Sequence, residues 1–92
     1  MNSVPDPLAT LTGQVVVIDL DGPWIAFGRL GAVAGAWIEL LDADLHDMRE
    51  GASSRDVYAL ETQKLGVRVN RRRVLLPLSQ VVAVSRLDDL TA

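Results

Sequence analysis

The sequence predicts an all-β chain: a small barrel of five short, bent strands with a short N-terminal helix and an inserted helix. Three observations lead there. Five short segments are rich in β-branched and aliphatic residues. Tight-turn signals at Asp21-Gly22-Pro23, Ala34-Gly35 and Ser79-Gln80 separate most of them. A helix-capping pattern at Ser53-Ser54-Arg55-Asp56 interrupts the run of strands only once. Full closure of short strands removes edges that would otherwise pair with other chains.

The elements follow in order. Residues 1–7 form a loose lead-in with two prolines, and Pro7 is placed to open a helical turn. Leu8 and Leu11 share one face of that turn, and Gly13 ends it. Residues 14–20 predict the first strand, with Val16, Ile18 and Leu20 on one face and Asp19 on the other. Residues 24–33 predict the second strand. Gly28 inside it marks a bend or a close backbone approach. Residues 36–45 predict the third, with Ile38 and Leu40 opposite Glu39.

After a polar loop comes a helix over 54–65, with Val57, Leu60 and Lys64 on one stripe and Gly66 as its stop. A strand hairpin is the alternative there. Arg71-Arg72-Arg73 leads into a fourth strand over Val74–Leu78, and Pro77 places it at an edge or at the strand's end. Val81–Leu87 predicts the fifth strand. The organisation is one domain over 1–92, with a core at 7–47 and 71–87 and a variable insert at 48–70.

Composition narrows the function classes. The chain has 92 residues, 49% of them hydrophobic and 23% charged, too apolar for a disordered chain. A domain of this length buries only about 60–65% of its unfolded surface, so some apolar sequence is expected in a subunit interface. No cysteine is present, which excludes disulfides, thiolate nucleophiles and cysteine zinc sites. No secretory signal or membrane span is evident, and the reading is a soluble, cytoplasmic protein. Net charge is −3, split as −6 over residues 1–47 and +3 over 48–92. This opposes indiscriminate nucleic-acid coating but leaves room for a local basic patch.

In this order and spacing the chain resembles the Sm-like family, as a divergent, bacterial-type member. The residues that carry the resemblance are Gly13-Gln14-Val15-Val16-Val17-Ile18, Gly28-Arg29-Leu30, Ile38 through Asp44, and Val74 through Val84. The resemblance implies a bent five-stranded barrel whose fourth strand pairs with the fifth strand of the next copy. It implies homo-oligomeric rings of five to eight subunits, and RNA as the usual ligand. The positions that read RNA in the family differ here. Ala34 and Trp37 stand at or near the Asp and Asn positions, and Pro77-Leu78 replaces Arg-Gly.

Candidate residues follow. Arg71, Arg72 and Arg73 form the one basic run, suited to phosphates; the structural alternative is a solvated edge or ion pairs to a neighbouring subunit. Trp37, beside Gly35 and Ala36, is the best base-stacking surface; the alternative is packing at an interface or under the helix. Leu75, Leu76, Val82 and Val84 are candidate oligomer-interface residues. Asp42, Asp44 and His46 alternate and would share one strand face, the weak case for a divalent metal; the expectation is no metal and no cofactor. A hydrolytic role for His46 with Ser53 or Ser54 has no nucleophile elbow behind it. The reading is a non-enzymatic, ring-forming module that binds RNA, with no membrane partner and no small-molecule substrate. The alternative is a protein-interaction scaffold without RNA binding.

Overall fold

The computed structural model describes residues 6–92; most of the lead-in lies outside them. Five antiparallel strands form one bent sheet: β1 (Val15–Leu20), β2 (Trp24–Ala34), β3 (Trp37–Asp47), β4 (Arg71–Pro77) and β5 (Val81–Arg86). Their order across the sheet is β4-β3-β2-β1-β5. β4 and β5 are therefore its two edges. They do not pair with each other within the chain, so the sheet is open where a barrel would close. Among the described residues one α-helix, α1 (Arg55–Leu65), lies between β3 and β4 in sequence.

The strands form where β-branched and aliphatic residues concentrate, within one to three residues of the sequence reading. Val16, Ile18 and Leu20 point into one core with Ala26, Leu30, Ile38, Leu40, Ala43 and Leu76. Leu8 and Leu11 of the N-terminal 3₁₀ turn pack against its edge. The opposite face of the sheet is buried as well. Val17, Ile25 and Phe27 meet Tyr58 and Ala59 of α1, and Leu87 after β5. β1 thus reads as a nearly continuous apolar run because both of its faces are covered.

Bends come from identifiable residues. At Gly28 a Cβ would lie 3.1 Å from both the Ala43 Cβ and the Leu41 carbonyl oxygen. The β2–β3 register shifts there, between Phe27 and Arg29. The extra residue on β3 bulges, and Asp42 takes a φ of +48°, a region that Asp enters more readily than most residues.

The helix expected over 54–65 forms as α1, with two differences. Ser54, not Ser53, caps it, its hydroxyl accepting from the Val57 N–H. Its buried residues are Tyr58, Ala59 and Thr62, while Val57 and Leu65 are exposed. The helix offers the sheet an aromatic ring, a methyl and a satisfied hydroxyl rather than the stripe through Val57, Leu60 and Lys64. Arg55 ties its start to the β1–β2 turn, donating to the Gly22 and Trp24 carbonyls at 3.0 Å each and approaching Asp19 at 3.4 Å. Gln63 ties its end to the Leu87 and Leu90 carbonyls.

Candidate nucleic-acid and assembly surface

β4 begins at Arg71, so the whole arginine run lies on the strand. Antiparallel pairing sets Ala43 opposite Arg71, Leu41 opposite Arg73, Glu39 opposite Leu75 and Trp37 opposite Pro77. Alternation gives Arg71, Arg73 and Leu75 one face and Arg72 the other. Arg73 is already engaged: its Nε donates to Glu39 Oε2 at 2.6 Å. The other Glu39 oxygen accepts from the Ala32 N–H at 3.0 Å. The Arg73 bond, then the Ala32 bond, hold the Glu39 carboxyl below the usual range. Arg71 and Arg72 are exposed and carry no ion pair among the described residues.

Trp37 is half exposed at the mouth of the β2–β3 hairpin. It follows Gly35, which turns with a φ of +58°. The end of β4 meets this hairpin directly, for the Leu78 N–H donates to the Ala36 carbonyl at 2.7 Å. Ala34, Trp37, Pro77 and Leu78, the residues that the resemblance sets against the family's RNA readers, thus gather at one end of the β2–β3 and β3–β4 pairs. Arg71 lies at the other end, six strand positions from Pro77, about 20 Å away. The tryptophan and the start of the arginine run are not one constellation.

The interface candidates divide as well. Leu75 is 44% exposed and Val82 is 66% exposed. Val82 sits where the β1–β5 register shifts, between Ala83 and Val81. Leu76 is 5% exposed, and its side chain belongs to the core. Its outward placement in the sequence reading is corrected by the alternation of β4. Val84 packs partly buried against the same core.

Asp42, Asp44 and His46 do not converge. The bulge at Asp42 breaks the alternation on which a shared face depended. Asp42 pairs with Arg29 at 3.5 Å. Asp44 is 2% exposed; one oxygen accepts from the Tyr58 hydroxyl and the other from Asn70 Nδ2 at 3.0 Å. His46 stacks on the Tyr58 ring, centroids 4.1 Å apart. The Arg68 guanidinium lies 4.8 Å from the centre of the same ring. Burial, then the bond to Asp44, push the Tyr58 hydroxyl up to about 12. His46 and Ser53 do line one cleft of about 240 Å³ with Met48, Glu50 and Arg68, but no hydrogen bond joins them among the described residues. Among those residues no group of three or more His, Cys, Asp or Glu is placed to hold a metal. No helix among them is long and apolar enough to cross a membrane.

Neither a family model nor a curated protein matches the sequence. Solved structures do match the fold. An Sm protein of Pyrococcus abyssii, solved in complex with a uridine heptamer, aligns with a TM-score of 0.61 at 16% identity, covering 89% of this chain and 99% of that one. The Sm-like protein AF-Sm2 of Archaeoglobus fulgidus aligns with a TM-score of 0.56 at 13% identity, covering 92% and 99%. A chain of the NatC complex bound to CoA aligns with a TM-score of 0.56 at 20% identity, covering 91% and 86%. On these likenesses the chain has an Sm-like fold.

Proposed function

We propose that this chain is a non-enzymatic Sm-like module that assembles through its sheet edges into a homo-oligomeric ring and binds single-stranded RNA. The observation that carries the reading is the pair of open edges. β4 and β5 are the outer strands of the sheet, and each exposes a large aliphatic side chain, Leu75 and Val82. Edges of this kind are normally paired or covered. Pairing β4 of one copy with β5 of the next covers both and closes a ring of identical head-to-tail contacts. The RNA part is supported by the neighbour that holds a uridine heptamer and by Trp37, whose exposed ring offers a base a stacking surface. Arg71, Arg72 and Arg73 are the candidate phosphate contacts, with Arg73 the weakest of them because Glu39 already holds it.

A second reading, a protein scaffold that ignores RNA, is favoured by the apolar replacement of the base-reading positions by Ala34, Trp37, Pro77 and Leu78. Light scattering on a sizing column, with and without a mixed pool of short RNA, separates the readings. A particle of roughly 50–80 kDa corresponds to five to eight copies of a 10.0 kDa chain. Co-elution with RNA, lost in Trp37→Ala, supports the RNA reading. A ring that leaves the RNA behind supports the scaffold, and a monomer ends the ring.

A further inference from the structure

The two edges carry opposite charge at the ends that antiparallel pairing would bring together. β4 opens with Arg71 and Arg72, both exposed and without an ion pair among the described residues. β5 closes at Arg86 and runs into a 3₁₀ turn, Leu87–Asp89. Asp88 and Asp89 are exposed on that turn. One carboxylate is lightly used, since Asp89 lies 3.8 Å from Arg86. In an antiparallel pair the beginning of one strand lies beside the end of the other. A β4 edge seated on the β5 edge of a second copy therefore brings Arg71 and Arg72 to the Asp88–Asp89 turn, while Leu75 comes alongside the middle of β5.

We infer that Arg71 and Arg72 are partner-recognition residues, which pair with Asp88 and Asp89 of the adjacent copy and so fix the direction and register of the edge contact. The inference rests on the edge-to-edge reading, deepens it by naming the charges that select the partner, and takes Arg71 and Arg72 out of the phosphate role, leaving RNA to the exposed Trp37. The occupant is a second copy of this chain because both halves of the complementary pattern lie on it, at matching ends of its two unpaired edges. The distance of the run from Trp37 fits this role. Arg86 is the one like charge at the site, and Asp89 already screens it. Flat strand edges specify register weakly, and complementary charges across an interface correct that by penalising slipped or reversed pairings.

The test is charge reversal and swap, read by light scattering over a protein dilution series at low and high salt. In R71E/R72E and in D88K/D89K the concentration at which the assembly dissociates should rise by about tenfold or more at low salt. Thermal unfolding of each isolated chain should stay near that of the parent. Mixing the two variants, or combining all four changes in one chain, should restore assembly. A parent ring whose dissociation is unmoved by either reversal overturns this inference and leaves the ring intact. So does a ring that persists in R71E/R72E while its RNA affinity falls, which assigns the arginines to phosphate instead. A parent chain that is monomeric at every concentration removes the edge contact itself, and with it the inference.

Discussion

Tyr58 shows how much one side chain organises here. Its ring packs between His46 and Arg68, touches Phe27 at 5.7 Å between centroids, and its hydroxyl is held by the buried Asp44. The hydroxyl's pKa is raised from 10.0 to about 12, so the folded state keeps its proton where the unfolded chain has lost it. The stabilisation is complete below pH 10 and is lost as pH rises toward about 12. Tm should fall across that window in the parent, and the fall should shrink in Tyr58→Phe. As Tyr58 is the one tyrosine, phenolate absorbance follows its titration directly. The Phe variant should also lose about 1–3 kcal/mol at neutral pH, because it leaves the Asp44 carboxylate short of a donor. Gly28→Ala is the matching steric case. The added methyl meets Ala43 and the Leu41 carbonyl at 3.1 Å, and denaturant unfolding should register a loss of about 1–3 kcal/mol. Gly31 plays a different part, for a Cβ there would run into the Glu39 carboxylate and disturb its hold on Arg73.

At the level of elements, the strands were readable because β-branched residues and turn residues mark them locally, and Gly66 announces the end of α1. What spacing could not reveal was the second buried face. Val17, Ile25 and Phe27 lie opposite the main core, and the docking of α1 together with Leu87 after β5 explains their burial. The same lack misplaced the polar residues. Asp42, Asp44 and His46 read as one face because nothing in the sequence announces the bulge at Asp42. Leu76 read as an interface residue because an apolar run does not say which of its members face inward. That Trp37 and the start of the arginine run occupy opposite ends of one strand pair was not legible either, because only the β3–β4 register places them. The docking of α1 makes its own prediction. Ser54→Ala should cost about 1 kcal/mol through the lost cap. Arg55→Ala should cost about 1–3 kcal/mol through the lost charged bonds to the β1–β2 turn. Helical signal on thermal melting, compared with near-ultraviolet signal from the tryptophans, checks whether α1 loosens before the sheet.

For the molecule as a whole, the balance lies between a folded protomer and its open edges. Neither edge side chain with the greatest exposure, Leu75 or Val82, belongs to either core cluster. Val82→Lys should therefore leave the protomer's Tm within a few degrees of the parent while lowering its assembled mass, because a lysine on an edge opposes strand addition. Equal Tm with lower mass on the sizing column is the expected pair of results. A large drop in Tm would mean that β5 depends on Val82 inside the protomer. The fold likeness extends over most of the chain, and α1 sits on the face of the sheet away from the main core.

The pairing of β1 with β5 also sets a timetable for synthesis. Val16 pairs with Arg86, so β1, the earliest strand of this sheet in the chain, gains its second neighbour from β5, the latest. Until then the meander of β1, β2 and β3 can zip up by short-range contacts, but β1 waits as a bare margin whose residues are apolar on both sides. Long-range closure of this kind is slow compared with local zippering, and a nascent chain stalled before β5 offers other stalled chains an adhesive strand. β5 covers that margin, and truncations that remove it should fail by aggregation rather than by loss of a site.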